Sequence, residues 1–168
     1  MLIALPERWD GNEWFVTIAT LLVLFIWKLL PRRMNKSQMW FIVFLNVLLG
    51  LFTDSLFGGG LHNFYDMNDS PKGEITDYLL YMATFPLTIL IILHFYGKWR
   101  PTGLWRLIFI LIAAGITAVL EFVSVKFAVF QYIRWNLLYS FCVYTVVHGI
   151  NVLMFDWTRR FPRNRVSP

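Results

Sequence analysis

Three carboxylic acids lie inside long apolar stretches of the sequence, where an ionisable side chain is costly. They are Asp54, Asp77 and Glu121. In such surroundings an acid pairs with a basic or hydrogen-bonding group, or it binds a cation, because an uncompensated charge is expensive in lipid. Five further polar residues are expected at a similar depth, namely Lys126, Arg134, Asn136, Tyr139 and Ser140. We therefore predict a polar cavity for a ligand or an ion, partly neutralised by Lys126 and Arg134.

Polar and small residues also recur at four-residue spacing, which places them along one face of a helix. One stripe contains Asn46, Gly50, Asp54 and Gly58. A second stripe contains Asn136, Ser140, Tyr144 and His148, with Asn151 one turn further. We expect the helices that contain these stripes to turn them towards one another.

Two interpretations of these residues remain open. They form a ligand or ion site, or they only hold helices together, since small residues allow close packing and polar side chains hydrogen-bond between helices. In the second interpretation, Lys126 and Arg134 neutralise Asp54 and Glu121. Asp77 is then only a carboxylate near a helix N-terminus, where the helix dipole stabilises a negative charge. Glu121 and Asp54 are the leading functional candidates, because a buried acid needs a reason to be there.

The composition indicates the medium that surrounds these residues. Hydrophobic residues make up 58% of the 168, and charged residues make up 15%, whereas soluble domains contain about 25% charged residues. A soluble domain of this size could not bury so much apolar surface. The net charge of +5 does not indicate nucleic-acid binding, because the basic residues cluster between apolar stretches. We predict an all-α integral membrane helical bundle.

Five apolar stretches are each close to the roughly 17–25 residues that cross a bilayer as a helix. They cover residues 14–30, 39–57, 75–96, 104–125 and 135–155, and the fourth could extend to residue 130. Together they form one transmembrane domain, 14–157, between an external leader, 1–13, and a basic tail, 158–168. The expected helix ends fall at Pro31, at Gly58 to Gly60 and at Gly97. No stretch has the alternation of a β-strand.

The distribution of basic residues predicts the orientation. Eleven of the 15 fall on one side of a five-span topology, namely Lys28, Arg32, Arg33, Lys36, Lys98, Arg100, Arg106, Arg159, Arg160, Arg163 and Arg165. The other side holds the acidic leader and the loop that contains Asp66, Asp69, Lys72 and Glu74. The positive-inside rule places the N-terminus outside and the C-terminus in the cytoplasm, so the cavity faces outward. The tryptophans lie at or just beyond the predicted helix ends, where indole rings favour the headgroup level.

Metal and cofactor chemistry has little support in the sequence. Cys142 is the single cysteine, which excludes an intramolecular disulfide and a cysteine-based metal site. His94 and His148 differ in expected depth by about one helical turn, which disfavours a haem held by two histidines. No zinc-protease, P-loop, serine-hydrolase or EF-hand motif is present. We therefore predict no cofactor, no metal and no catalytic residue.

A series of landmarks follows the order of the spans. Trp27-Lys28 closes the first, Asp54 lies late in the second, Pro86 lies in the third before Tyr96-Gly97-Lys98-Trp99, Glu121 lies late in the fourth, and Trp135-Asn136 with Ser140 opens the fifth. From about Trp27 to Trp157 this order resembles a family of small polytopic membrane proteins found in spore-forming relatives of Bacillus and Clostridium. The resemblance implies a Gram-positive cell membrane and a five-helix layout, and it adds weight to Asp54, Glu121, Trp135 and Asn136. The family has no assigned activity to carry over, and the Pro-containing segment that often follows its last span is not reproduced by this basic tail.

The function favoured by the sequence is that of a non-enzymatic binding or accessory subunit in the cell membrane. Loops this short on the cytoplasmic side cannot form a catalytic domain. A transport component that acts as an oligomer is the alternative, with Asp54 and Glu121 as ion or proton sites, and an intramembrane lipid-active enzyme is the third possibility. The expected partners are the lipid bilayer and either a membrane protein or further copies of this chain, with no nucleic acid.

Overall fold

The computed structural model describes residues 9–58, 62–67 and 74–160. In this part of the chain five helices are long and apolar enough to cross a membrane. They are α1 (Gly11–Leu29), α2 (Lys36–Phe57), α3 (Ile75–Trp99), α4 (Leu104–Lys126) and α5 (Leu137–Arg159). Two three-residue strands, β1 (Tyr65–Met67) and β2 (Phe130–Tyr132), accompany them. Several residues used in the predictions lie outside the described ranges, namely residues 1–8 of the leader, Gly59 and Gly60, Asp69 and Lys72, and the tail from residue 161.

The five predicted spans agree with the helices to within four residues at each end. Gly97 was expected to end the third helix, but it lies inside α3. A Cβ atom on Gly97 would lie 2.9 Å from Cζ of Phe155, so the glycine allows α3 and α5 to approach closely. The helix ends two residues later, where Arg100 adopts a left-handed conformation with φ of 48° and its N–H donates to the carbonyl of Tyr96 at 2.8 Å.

The third helix contains a π-helical turn over Leu80–Thr84. The N–H of Phe85 donates to the carbonyl of Leu80, five residues earlier instead of four. The next residue, Pro86, has no N–H to donate, so the regular ladder of α3 is interrupted where the wider turn meets the proline. The wider turn changes the angular position of the side chains that follow it, which include residues that line the site described below.

The two strands join the loop after α2 to the loop after α4. They pair antiparallel, with Tyr65 opposite Tyr132 and Met67 opposite Phe130. The N–H groups of the next two residues, Ile133 and Arg134, both donate to the carbonyl of Phe64, at 3.0 and 2.9 Å. Both strands lie in loops between the predicted spans, where the sequence predicts no regular structure. The fourth helix also ends at Lys126 and does not extend to residue 130, because the chain there is extended and paired.

We call the end of the bundle that carries β1 and β2 the strand end. A buried cluster there joins Val16 of α1, Leu80 of α3 and residues Val129 and Phe130 beside β2. At the opposite end, the core includes Ile42, Ile89, Leu90, Leu93, Tyr96, Val152 and Phe155. Helices that are consecutive in the sequence therefore run in opposite directions.

The outer surface of the bundle differs from that of a soluble protein. Apolar residues such as Leu21, Phe25 and Ile116 are more than half exposed. Buried polar residues connect the helices in addition to the apolar core. Thr20 of α1 and Thr84 of α3 hydrogen-bond at 2.6 Å. An apolar exterior with polar side chains turned inward is the arrangement that lipid favours.

Candidate functional site

A cavity of about 170 Å³ lies between α2, α3, α4 and α5 at the strand end. The inward faces of β1 and β2 contribute to its wall, because Tyr65 and Tyr132 both line it. Its polar lining consists of Asn46, Thr53, Tyr65, Tyr81, Thr88, Thr117, Glu121, Ser124, Tyr132, Trp135, Ser140 and Tyr144. The remaining lining is aliphatic and aromatic. Among the described residues that line this cavity, Glu121 is the one with a formal charge.

Three hydroxyl groups converge on the carboxylate of Glu121. Ser140 donates to Oε1 at 2.5 Å, the hydroxyl of Tyr132 donates to the same oxygen, and that of Tyr144 donates to Oε2. Ser140 and Tyr144 lie one turn apart on α5, so the helix presents both hydroxyls to the same acid. The carboxylate is therefore held in a fixed orientation at the cavity wall.

The indole of Trp135 extends this network by one step. Its Nε1–H donates to Oγ of Ser140 at 2.7 Å, which leaves the serine proton directed to Glu121. The ring is packed between Phe57, at 5.2 Å between centroids, and Tyr65, at 5.6 Å. Trp135 lies at a helix end as predicted, but it forms part of the cavity wall in addition to any role at the headgroup level.

The second predicted acid, Asp54, lies beside this cavity near the end of α2. The hydroxyls of Tyr65 and Tyr81 are both within hydrogen-bonding reach of its half-buried carboxylate. Gly58 leaves room for that carboxylate, since a Cβ atom at this position would lie 2.5 Å from Oδ1 of Asp54. Asp54 thus lies beside two tyrosine hydroxyls, of which that of Tyr81 donates to Sδ of Met67 at 2.5 Å.

The tyrosines of the two strands lie close to the acids, Tyr65 near both Asp54 and Glu121 and Tyr132 against Glu121. Burial and the negative charges of Asp54 and Glu121 raise the pKa of Tyr65. Burial and its hydrogen bond to Glu121 raise the pKa of Tyr132. Both hydroxyls therefore stay protonated at physiological pH and remain available as donors to the carboxylates.

The expected neutralisation by Lys126 and Arg134 is not found in the described part of the chain, where neither forms an ion pair with Asp54 or Glu121. Lys126 is exposed, and its Nζ lies 5.1 Å from the ring centroid of Phe122. Arg134 is exposed as well. These long side chains reach the surface, where water can solvate the charge, while hydroxyl groups occupy the positions next to Glu121.

Two other predicted residues serve as helix caps. The carboxylate of Asp77 accepts from the backbone N–H of Glu74 at 2.8 Å, in a reciprocal cap at the start of α3. Asn136 accepts from the N–H groups of Leu138 and Tyr139, at 3.0 and 3.1 Å, at the start of α5. Neither residue lines the cavity.

The deeper polar stripe forms pairs between helices. Asn46 of α2 and Asn151 of α5 exchange two side-chain hydrogen bonds, at 2.7 and 2.9 Å. Nε2 of His148 lies 2.9 Å from Oγ1 of Thr117. Of the predicted site residues, Asn46, Glu121, Ser140 and Tyr144 line the cavity, while Asn151 and His148 lie behind it.

Sequence analysis missed Tyr65 and Tyr132 as site residues. The signal was weak, because each lies in a segment of only three residues in which one polar residue separates two apolar or aromatic ones. Such segments are too short to be distinguished from a loop by periodicity. What places both rings in the cavity is the pairing between two distant loops.

Comparisons with protein-family models, curated proteins and solved structures found no match to this chain. The family resemblance therefore stays a prediction. Within the described ranges, no group of three or more histidine, cysteine, aspartate or glutamate side chains is placed to hold a metal ion. The fold defines a bundle of five apolar helices consistent with a multi-pass membrane protein, with a small cavity at one end.

Proposed function

We propose that this chain is a multi-pass cell-membrane protein that binds a small molecule in the cavity beside Glu121, as a non-enzymatic binding or accessory subunit. One observation carries the proposal. The Glu121 carboxylate lines the cavity, is fixed by three hydroxyl donors and has no basic partner among the described residues. A carboxylate with a fixed orientation and no basic partner, placed in a concave surface, is suited to recognise a ligand.

The cavity volume supports binding over packing alone. Protein interiors are close-packed, whereas a partly open space of about 170 Å³ lies between four helices here. Residues that only held helices together would be expected to close this space.

The exposed helix surfaces support a membrane location. Apolar residues cover the outside of each helix, whereas buried asparagine, threonine and histidine side chains lie within the bundle. The end of the bundle opposite the strands carries Arg32 and Arg33 in one loop, and Lys98 in the last turn of α3 with Arg100 directly after it. By the positive-inside rule, that end faces the cytoplasm and the strand end faces outward.

The hydrogen bonds at the cavity favour binding over catalysis. The hydroxyl of Ser140 donates to Glu121, and His148 is paired with Thr117 instead of lying beside the serine. Among the described residues, no histidine accepts a hydrogen bond from this hydroxyl. The hydroxyls instead fix the orientation of the Glu121 carboxylate, which suits ligand binding.

Native mass spectrometry of protein extracted gently from its host membrane tests the proposal. We expect a bound small molecule on the wild-type chain and its loss in Val147→Phe, because Val147 lines the cavity and the larger ring occupies the space. Val146→Phe is the matched control, since Val146 is the preceding residue of the same helix and is 62% exposed. A wild-type chain with no bound molecule, or equal retention in both variants, contradicts a ligand in this cavity.

A transport component remains a second candidate, for one reason. Tyr65 lines the cavity with Glu121 and lies near Asp54, close enough for both negative charges to act on its hydroxyl. Two acids near one hydroxyl suit the movement of a proton or cation in an oligomer. Proton flux into liposomes that is lost in both Asp54→Asn and Glu121→Gln would support transport, and flux that is unchanged in both would contradict it.

A further inference from the structure

The chemistry of the cavity wall restricts the kind of molecule that it can hold. Beside its one carboxylate, the described lining is rich in aromatic rings, among them Phe57, Tyr65, Phe130, Tyr132 and Trp135. The face of an aromatic ring is negative and attracts cations, with tryptophan the strongest of the three types. A carboxylate and several ring faces around one space therefore attract the same sign of charge.

The structure also bears on the kind of cation. A bare metal ion requires several oxygen ligands at short distance. Here the tyrosine and serine hydroxyls next to Glu121 direct their protons towards the carboxylate, which leaves aromatic and aliphatic carbon around most of the space. An organic cation suits such a wall, because its charge is spread over carbon-bearing groups that make apolar contacts.

The volume sets the approximate size. A dry protein cavity of about 150 Å³ accommodates a benzene molecule, and this cavity measures about 170 Å³. An occupant of roughly six to ten non-hydrogen atoms is compatible with that comparison.

We propose that the cavity binds a small organic cation, an alkylammonium or quaternary ammonium compound, with its nitrogen between the Glu121 carboxylate and the rings of Trp135 and Tyr65. This rests on the proposed function and names the ligand class for the same site. The Trp135 ring is ready for that role without rearrangement. Its Nε1–H is bonded to Ser140, and the rings of Phe57 and Tyr65 hold it from the side at interplanar angles of 45° and 65°.

The test compares two probes of equal shape and different charge. Choline and its neutral carbon isostere 3,3-dimethylbutan-1-ol are titrated into the full-length protein in detergent micelles, with thermal stability and calorimetry as readouts. A ligand that binds only the folded protein raises the melting temperature with its concentration. We expect choline to bind at least tenfold more tightly than the isostere.

Two variants locate the effect. Glu121→Gln should weaken choline binding at least tenfold and leave the affinity for the neutral isostere nearly unchanged, which also shows that the variant is folded. Trp135→Leu should weaken choline binding through loss of the ring face. Asp156→Asn is the control, because Asp156 is an acid at the opposite end of the bundle that accepts from Tyr96 at 2.8 Å; it should retain choline binding.

The outcomes separate this inference from the proposed function. Equal affinity for the two probes, or choline affinity unchanged in Glu121→Gln, overturns the organic cation. If neither probe binds but a copurifying molecule is still lost in Val147→Phe, a ligand site exists and its ligand is not a cation of this size. If no molecule copurifies and neither probe binds, both proposals fail.

Discussion

Tyr65 and Tyr132 lie opposite each other across an antiparallel pair of strands, and both line one cavity. Tyr65 reaches towards Asp54 and Tyr132 donates to Glu121. The strand pair thereby brings together acids from two different helices, α2 and α4. A shift of one strand by one residue would turn its tyrosine ring away from the cavity.

The hydroxyl network around Glu121 should behave as a cooperative unit. We expect Tyr132→Phe and Tyr144→Phe each to lower the free energy of unfolding by about 1–2 kcal/mol, because each removes a hydrogen bond to a charged acceptor. Combined with Glu121→Gln, each tyrosine substitution should cost much less than it does alone, since its acceptor is already altered. Thermal or denaturant unfolding in micelles measures these differences. Full additivity of the substitutions would show that the hydroxyls do not act through Glu121.

Gly97 should be required for the contact between α3 and α5. We expect Gly97→Ala to destabilise the protein by about 1–3 kcal/mol, as overpacking does, because the added Cβ would lie 2.9 Å from Cζ of Phe155. Gly149→Ala is the matched control, since no atom lies within 4 Å of a Cβ at that helical position. It should be neutral or stabilising by up to about 1 kcal/mol through helix propensity. Equal effects of the two substitutions on the melting temperature would contradict close packing at Gly97.

The orientation in the membrane can be measured by cysteine labelling in a Cys142→Ser background. Ile133→Cys, after β2, and Thr102→Cys, between α3 and α4, both replace exposed residues. An impermeant maleimide added to intact cells should label Ile133→Cys, and it should label Thr102→Cys only after permeabilisation. The reverse pattern would place the strand end in the cytoplasm and contradict an outward-facing cavity.

Alkaline pH should weaken the strand end. Since burial and nearby negative charge raise the pKa of Tyr65 in the folded protein, its neutral form is favoured by folding. The stabilisation is therefore fully present below the ordinary tyrosine pKa of about 10 and is lost as the pH rises above it. We expect the melting temperature to fall more steeply between pH 9 and about 11 in the wild type than in Tyr65→Phe. Parallel curves for the two proteins would contradict a role for this hydroxyl.

The helices of this fold were predictable because lipid permits few alternatives to them. An uninterrupted apolar stretch of the right length must satisfy its own backbone hydrogen bonds, and residue counting along each helix then places Asp54, Glu121 and Ser140 at similar depth. The strands were not predictable, since pairing between Tyr65 and Tyr132 depends on two loops meeting in space. The partners of Glu121 were also not predictable: Lys126 and Arg134 have complementary charge, but the direction of each side chain decides which groups reach the acid.

The dependence of Glu121 on hydroxyls from α5 has a consequence for biosynthesis. The helix that carries this acid is synthesised before the one that carries Ser140 and Tyr144. During insertion, α4 therefore holds a carboxylate whose two helical donors do not yet exist. A chain that stops before residue 137 should keep this acid unsatisfied in the bilayer and be degraded rapidly, whereas the same truncation carrying Glu121→Leu should persist longer in a pulse-chase experiment. Insertion of α5 thus supplies the missing hydroxyl donors to Glu121, and chains that lack α5 are expected to be less stable in the membrane than complete ones.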